Sequence, residues 1–235
     1  MSVSGRAEAI PAAAAPSRGD HIAGLVVSVL GGTGPQGRGL ARRLALTGLR
    51  VVLGSRDAAR AAAAAAGLPG EVSGTDNAGA ARAGDLVVVA VPWEGHRALL
   101  LPLADALAGK VVIDCVNPLG VDKQGAFALL VEEGSAAQQA QAVLPRSTVV
   151  AAFHHVSAVV LLDEAVGDVD SDVLVLGDDR AATDLVQALA DRIPGLRGIY
   201  GGRLRNAHQV EAFTANLISI NRRYQGHAGL RVTDV

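Results

Sequence analysis

The sequence predicts an α/β fold in which helices cover both faces of a doubly wound parallel sheet, followed by a smaller C-terminal α/β domain. Apolar runs typical of strands alternate with helical segments along the chain. Half of the 235 residues are apolar but only 3% are aromatic, so the core must be packed from Val, Leu, Ile and Ala, as in sheets buried on both faces. A glycine-rich turn joins the first strand to the first helix.

The first two thirds of the chain carry the regular part of this alternation. We predict strands at LVVSVLG (25–31) and RVVLGS (50–55), followed by helices at RGLARRLALTG (38–48, closed by Gly48) and DAARAAAAAAG (57–67, stopped by Gly67 and Pro69). Further buried strands are predicted at DLVVVAVP (85–92), KVVIDCVNP (110–118) and STVVAAFHHV (147–156), with a helix between the first two. This order indicates a parallel, doubly wound sheet.

The pattern changes near residue 157. Here we predict one strand (DVLVLGDD, 172–179), a helix over 180–192, a short extended piece (GLRGIYGG) and a long helix over 204–224. We therefore predict a disordered extension over residues 1–22 with no function of its own, a main domain over 23–157, and a smaller domain over 158–235 that covers the open edge of the main sheet.

Composition excludes several classes of function. The net charge of -2 and the scarcity of aromatic residues disfavour nucleic-acid binding. Apolar runs fall short of the roughly 20 residues that span a bilayer, so we expect no membrane association. Cys115 is the only cysteine, which allows no internal disulfide, fits a cytoplasmic location and is expected to be an inert core residue. We predict no metal site, because Asp178 and Asp179 match helix-capping chemistry better.

The segment GTGPQG matches the G-x-G-x-x-G pattern of a Rossmann dinucleotide turn, and it stands directly after a strand and opens a helix. Gly32 permits the tight turn, Gly34 lets the backbone approach a pyrophosphate, and Gly37 allows close packing of helix on strand. Pro35 suits a first helical turn. The helix N-terminus offers free N–H groups to the anion. We therefore predict a dinucleotide-binding Rossmann domain.

The end of the second strand indicates which dinucleotide is bound. NAD enzymes of this design carry an acid there for the ribose hydroxyls, whereas this chain has Ser55 and Arg56. Arg60 lies one helical turn further on, so that two guanidinium groups can converge on one phosphate. Contacts of about 2 to 3 kcal/mol would favour NADP by about 30- to 150-fold. The alternative is that both arginines form a solvated helix face.

Together these residues carry a family resemblance. The segments that carry it are GGTGPQGRGLARRLA, LGSR with Arg60 behind it, VAVPWEGH, VNPL and the C-terminal QGHAGLRV. In these features the chain resembles the NADPH-dependent reductases of coenzyme F420 (F420:NADP oxidoreductases) from residue 25 to its end. The resemblance implies reversible hydride transfer between NADP(H) and the 5-deazaflavin ring of coenzyme F420, in a homodimer.

The resemblance also implies roles for residues along the site. Those implied to hold NADP are Thr33 to Gln36 at the pyrophosphate, Ser55, Arg56 and Arg60 at the 2′-phosphate, Val91 and Pro92 beside the adenosine and ribose, and Asn117 with Pro118 near the nicotinamide. Those implied to contact the deazaflavin are His154, His155 and Ala158, which flank both rings, and Ala228, Gly229 and Leu230, which close its pocket. Five arginines are candidates to supply positive charge for the anionic tail, and the alternative is that they are ordinary surface residues: Arg203, Arg205, Arg222, Arg223 and Arg231.

The chemistry requires position rather than a dedicated acid or base, so no catalytic side chain is predicted. We place His154 and His155 on a strand, pointing to opposite faces, which prevents them from chelating one metal; one would be structural and the other would touch a ring. Trp93 is expected to cap the sheet.

Two other functions remain open at this point. One is an NADPH-dependent reductase of a small carbonyl or imine, which would need a proton donor beside the nicotinamide. The other is a non-catalytic NADP-binding redox sensor, which would have no reason to keep a pocket for a second ring.

Overall fold

A computed structural model describes residue 22 and residues 24–235 of the chain. Its strands lie between residues 26 and 202. The described residues form ten strands: β1 (Val26–Leu30), β2 (Arg50–Ser55), β3 (Val72–Asp76), β4 (Leu86–Val89), β5 (Val111–Asp114), β6 (Leu119–Asp122), β7 (Gly125–Ala128), β8 (Thr148–Ala151), β9 (Ser171–Gly177) and β10 (Leu196–Gly202). The predicted extension over residues 1–22 lies outside the described residues except for Ile22, which is fully buried.

Eight strands form one sheet in the order β10-β9-β8-β5-β4-β1-β2-β3, and β6 and β7 form a separate antiparallel hairpin. Neighbours in the large sheet are parallel apart from β8 and β9, where Ala151 pairs antiparallel with Leu176. The strand order reverses between β1 and β4. In open α/β sheets, ligands bind beyond the carboxyl ends of the strands at such a reversal.

The helices pack on both faces of this sheet. Those in the described residues are α1 (Pro35–Leu46), α2 (Ala58–Ala66), α3 (Asn77–Ala83), α4 (His96–Leu100), α5 (Ala136–Val143), α6 (Ala158–Leu162), α7 (Arg180–Asp191) and α8 (Ala207–Tyr224). Short 3₁₀ turns at Trp93–Gly95, Leu101–Leu103 and Leu204–Asn206 precede or follow α4 and precede α8. The Rossmann-like, doubly wound sheet predicted from the sequence is confirmed.

Alternating strand residues feed two apolar clusters, one on each face. Val88 and Ile113 pack with α1 and α7 residues on one side, while their neighbours Val87 and Val112 pack with α4, α5 and α8 residues on the other. The side chains are almost entirely aliphatic, and Phe153 is the largest of the fully buried ones among the described residues. The interior therefore has the composition expected of a sheet buried on both faces.

Capping residues explain where several helices begin. The side chain of Asp179 accepts a hydrogen bond from Ala182 N at 2.8 Å and so starts α7. The sequence predicted that its neighbour Asp178 would cap this helix as well, but Asp178 instead pairs with Arg203, with Oδ1 3.6 Å from Nη1. The Asp179 carboxylate thus satisfies one of the N–H groups that the first turn leaves without an intrahelical partner.

The predicted strand over 147–156 is too long, because β8 ends at Ala151. Phe153 has φ 63°, a left-handed conformation that ends the extended chain. His154 and His155 therefore lie in a turn rather than on a strand, and the alternation of strand side chains does not apply to them.

The C-terminal elements extend the main sheet. β9 and β10 are its last two strands on one side, and α7 packs against both. The division of the chain near residue 157 stays a prediction.

Candidate functional site

The turn between β1 and α1 contains three glycines with different surroundings. A Cβ on Gly32 would lie 2.8 Å from both Leu53 Cδ2 and Val29 O, and one on Gly37 would lie 2.7 Å from Gly32 Cα. A Cβ on Gly34 would find no protein atom closer than 3.7 Å. Gly32 and Gly37 are thus required by internal packing, whereas Gly34 presents open backbone at the N-terminus of α1.

The first turn of α1 is free of side-chain caps. Gly34 is the N-cap residue and Pro35 occupies the first helical position. Such a helix start presents uncapped N–H groups and the positive end of the helix dipole. The arrangement fits a pyrophosphate.

A cleft of about 940 Å³ opens beside this turn. It brings together the predicted site residues Thr33, Gly34, Ser55, Arg56, Arg60, Val91 and Pro92. The other predicted residues lie outside this cleft. Its floor at the end of β4 is tightly fitted, since a Cβ on Gly31 would lie 2.3 Å from Val91 Cγ1.

The end of β2 presents a hydroxyl and two guanidinium groups but no free carboxylate. Ser55 is buried, and Arg56 and Arg60 are exposed at the cleft. Two acids line the cleft here, and each caps a helix: Asp57 accepts hydrogen bonds from Ala59 N at 2.9 Å and Arg60 N at 3.3 Å, and Asp76, which pairs with Ser55 across β2 and β3, accepts one from Gly79 N at 2.6 Å. Because each carboxylate is bound to a helix N-terminus, its negative charge is partly offset.

A second group of predicted site residues is connected by hydrogen bonds further along the carboxyl edge of the sheet. Gln36 donates a hydrogen bond to Phe153 O at 3.2 Å, and Asn117 donates one to His154 O at 2.8 Å. These contacts connect the start of α1, the loop after β5 and the turn after β8. Pro118 follows Asn117 directly, and Ala158 begins α6 a few residues beyond the turn.

His154 and His155 are both buried. Neither nitrogen of His154 has a hydrogen-bond partner among the described residues, and burial lowers the pKa of His154 to about 4. His155 Nε2 donates to Asp172 O at 2.7 Å, and burial also lowers its pKa. Both rings are therefore neutral near pH 7.

Gly229 and Leu230 lie against the start of β9, while Ala228 N donates to Asn221 Oδ1 of α8 at 2.6 Å. Leu230 O accepts from Asp172 N at 2.6 Å, and Leu230 N donates to Ser171 Oγ at 3.1 Å. Because β9 runs antiparallel to β8, its first residues lie at the edge where β8 ends. Asp172 thus contacts both Leu230 and His155, so the two predicted walls of the deazaflavin pocket meet at one residue.

Of the five C-terminal arginines, Arg231 and Arg203 are engaged in ion pairs. Arg231 and Arg197 both bind the fully buried Asp172, at 2.8 Å each. The hydrogen bond from Arg197, followed by those of Val232 N and Arg231, holds the pKa of Asp172 well below its usual range. Arg231 fastens the C-terminal segment, and within the described residues Arg205, Arg222 and Arg223 form no salt bridge.

Two single residues behave largely as expected. Burial raises the pKa of the Cys115 thiol, which donates to Val89 O at 2.9 Å, so it is an unreactive thiol. Trp93 is half-buried, packs against the apolar cluster beneath α4, and has its ring centroid 5.7 Å from that of His96. The described part of the chain holds no cluster of three metal-ligating side chains and no helix long and apolar enough to cross a membrane.

Sequence reasoning missed a buried polar group at the end of β5. His96 Nε2 lies 2.6 Å from Asp114 Oδ2, and both side chains are fully buried. Asn77, which accepts a hydrogen bond from Gly31 N at 3.2 Å, was also missed. The only available signal was Asp114, a charged residue inside the apolar run VVIDCV, which does not identify its partner.

Comparison with known proteins gives consistent matches. A family profile described as "NADP oxidoreductase coenzyme F420-dependent" matches residues 26–118. The chain is 39% identical over 221 residues to the F420-dependent NADP reductase of Methanothermobacter marburgensis, covering 89% of this chain and 98% of that protein. It is 35% identical to the F420-dependent NADP reductase of Methanocaldococcus jannaschii, with the same coverage.

A solved structure from Arthrobacter sp. FB24, described as an F420-dependent NADP reductase, is also similar. It superposes with a TM-score of 0.78 at 27% identity and covers 89% of this chain and 100% of that one.

Proposed function

This chain belongs to the family of F420-dependent NADP oxidoreductases, and we propose that it uses the carboxyl edge of its sheet for the family's reaction. That reaction is reversible hydride transfer between NADP(H) and the 5-deazaflavin coenzyme F420. The observation that carries the proposed site is the cleft that Ser55, Arg56 and Arg60 line together with the glycine turn, in which the carboxylate of Asp57 is engaged as the cap of α2.

The residues present fit NADP along the length of this edge. Ser55, Arg56 and Arg60 would bind the 2′-phosphate, and the uncapped start of α1, from Thr33 to Gln36, would bind the pyrophosphate. Gly34 fits because its open face lets a phosphate approach the backbone. Val91 and Pro92 would line the adenosine and ribose side.

The nicotinamide would lie where the loops after β5 and β8 meet, at Asn117, Pro118 and His154. The coenzyme F420 pocket would lie between the segment from His154 to Ala158 and the segment from Ala228 to Leu230, which share Asp172 as a common contact. When bound, F420 supplies the ring that accepts or returns the hydride.

The chain's own residues contribute position and electrostatics. Hydride transfer needs two rings held face to face in a site that excludes water, and the buried turn at Phe153–His155, whose two imidazoles are neutral, would form one wall of such a site. Because the pKa of His154 is about 4, its neutral imidazole does not oppose the positive charge that the nicotinamide ring gains when it loses a hydride. Reduction of F420 by NADPH also consumes one proton, which water can supply to the reduced ring, so no side chain has to transfer it in the hydride step.

The lowered pKa of His154 also argues against reduction of a carbonyl or imine by this protein. Such a reaction needs a proton donor beside the nicotinamide. At neutral pH, His154 carries no proton that it readily gives up, and the raised pKa of the Cys115 thiol makes it a poor acid. A non-catalytic NADP sensor would bind dinucleotide without turnover.

One assay tests the proposed reaction against both alternatives. Purified protein is mixed with NADPH and oxidised F420, and the visible absorbance band of the oxidised deazaflavin is followed, with NADH as the comparison donor. We expect the band to disappear with NADPH and much more slowly with NADH. Tight NADPH binding without loss of the band would refute the proposed reaction and leave the sensor and the carbonyl or imine reductase.

We also propose that the chain acts in the cytoplasm as a homodimer. Exposed apolar side chains on the β6–β7 hairpin (Val121, Phe127) and on α8 (Ile218, Tyr224) offer a surface for a second copy. Sedimentation equilibrium of wild type and Phe127→Glu tests the assembly, since a monomeric wild type would contradict it. Cell fractionation tests the location.

A further inference from the structure

Three helices on one face of the sheet converge on the end of β5 through buried polar side chains. His96 of α4 contacts Asp114 Oδ2 through Nε2 at 2.6 Å and Gln139 Oε1 of α5 through Nδ1 at 3.0 Å. Glu211 of α8 accepts hydrogen bonds from Ala136 N at 2.9 Å and from Ala137 N. We call His96, Asp114, Gln139 and Glu211 the β5 polar cluster.

The other oxygen of the Asp114 carboxylate binds the backbone that leads to the predicted nicotinamide site. Asp114 Oδ1 accepts a hydrogen bond from Val116 N at 3.0 Å. The next residue, Asn117, donates to His154 O at 2.8 Å, and Thr214 of α8 donates to the same oxygen at 3.4 Å. The carboxylate therefore binds the residue directly before Asn117, and the Asn117 side chain contacts the turn after β8.

Stability alone does not account for this cluster. Removing a carboxylate and an imidazole from water carries a large desolvation cost, and apolar residues of similar volume often give equal or greater stability. The cost is visible in the titration behaviour: burial raises the pKa of Glu211 to about 7. Burial also disfavours the charged form of His96, but the charge and hydrogen bond of Asp114 outweigh it and raise the pKa of His96.

The contacts of Asp114 indicate what the cluster does instead. One carboxylate oxygen is fixed by a helix residue and the other fixes a backbone N–H, so the side chain cannot rotate without breaking a buried hydrogen bond. The loop that it holds carries the amide of Asn117 to the His154 carbonyl. A shift of the β5 end would move both loops at once.

We propose that His96 and Asp114 are positioning residues for hydride transfer, which hold the loop from Val116 to Pro118 at the depth that places the nicotinamide against the second ring. This inference rests on the proposed function. Neither side chain has to touch a substrate, because both act through the Val116 N–H and the Asn117 amide. The pair should therefore affect the transfer step without affecting recognition of the 2′-phosphate.

The test separates ring positioning from dinucleotide affinity. Asp114→Ala removes both contacts, whereas Asp114→Asn keeps an oxygen for the Val116 N–H. For each variant, kcat is measured with NADPH and F420, and affinity for adenosine 2′,5′-bisphosphate, which reaches only the 2′-phosphate end, is measured by calorimetry. The matched control is Lys110→Met at the opposite end of β5, where Nζ binds the carbonyls of Ala81, Arg82 and Gly84.

We expect Asp114→Ala to lower kcat by about 10²-fold, the scale of a misplacement of about 1 Å, and to change the bisphosphate affinity by less than about twofold. Asp114→Asn should recover most of kcat. Lys110→Met should lower the unfolding temperature and leave kcat unchanged. If Asp114→Ala does not fold, His96→Asn, which is too short to span the contact, must show the same selective loss of kcat.

Two outcomes count against the inference and are distinguishable. If the wild type transfers no hydride, the proposed function itself fails and the inference with it. If the wild type is active but the Asp114 and His96 variants keep full kcat, or lose kcat and bisphosphate affinity together, the proposed function stands and the positioning role is refuted.

Discussion

Replacing Arg56 and Arg60 with alanine is the sharpest test of the proposed dinucleotide site. Both guanidinium groups are exposed at the cleft beside Ser55, and no salt bridge within the described residues involves either. Because no internal ion pair is broken, the unfolding temperature should not change, and any loss of activity reports on the ligand.

The size of the effect follows from the exposure of the two side chains. A hydrogen bond to a charged group contributes about 1.5 to 3 kcal/mol, and solvent screening at an exposed site favours the lower end of that range. At about 1.4 kcal/mol per factor of ten, each substitution should raise the KM for NADPH by about tenfold. If the two contacts are independent, the double variant should show about a hundredfold change. NADH, which lacks the phosphate, should be affected by less than about twofold.

The assay compares kcat/KM for NADPH and NADH with F420 in excess, at two salt concentrations. Arg50→Ala is the matched control, because Arg50 lies at the opposite end of β2 and contacts Gly24 O at 3.2 Å. The NADPH effect should shrink at high salt, as expected for exposed charges. Equal losses for both dinucleotides, or an equal loss in Arg50→Ala, would remove the argument that these arginines select NADP.

Three further predictions concern the turn, the buried histidine and a buried arginine. Gly34→Leu should abolish NADP binding in calorimetry and leave the unfolding temperature within a few degrees of wild type, since its Cβ meets no protein atom within 3.7 Å; retained binding would exclude the turn as the phosphate site. The pKa of His154 is lowered from 6.5 to about 4, so between these pH values the unfolded chain binds a proton that the folded chain does not. The contribution of His154 to the free energy of unfolding should be complete above pH 6.5 and should fall by about 3 kcal/mol as the pH is lowered towards 4. Urea unfolding across this pH range should show a smaller decline in His154→Leu than in wild type. Parallel plots of unfolding free energy against pH for the two proteins would refute the assignment. Arg43 donates to four carbonyls between Val160 and Gly167, so Arg43→Met should lower the free energy of unfolding by about 3 kcal/mol; a change below about 1 kcal/mol in thermal denaturation would contradict it.

Local patterns were enough to predict most of the sheet. The strands β1, β2, β4 and β5 are buried and aliphatic, and a short-range apolar run identifies each of them. β3 was missed because VSGTD is an edge strand that is nowhere fully buried and contains no apolar run. The direction of β9 was not predicted either, since alternation of side chains along a strand is the same in parallel and antiparallel pairs.

The candidate site, like the sheet, has a part that short sequence patterns predict and a part that they do not. The glycine turn and the serine–arginine end of β2 are encoded by neighbours in sequence, so both could be predicted. The contact between His96 and Asp114 joins residues that are 18 positions apart in the sequence. The contact between Leu230 and Ser171 joins residues that are 59 positions apart. Contacts of this kind depend on how distant elements pack together, which no short window of sequence contains.

The position of Trp93 gives the protein an optical reporter. It is the single tryptophan of the sequence, it follows Pro92 at the rim of the cleft, and its indole stands beside the imidazole of His96. Its ultraviolet emission therefore comes from one place, between the rim of the cleft and the end of β5. Stopped-flow fluorescence of the unlabelled protein should consequently time the arrival of a dinucleotide separately from the colour change of the deazaflavin.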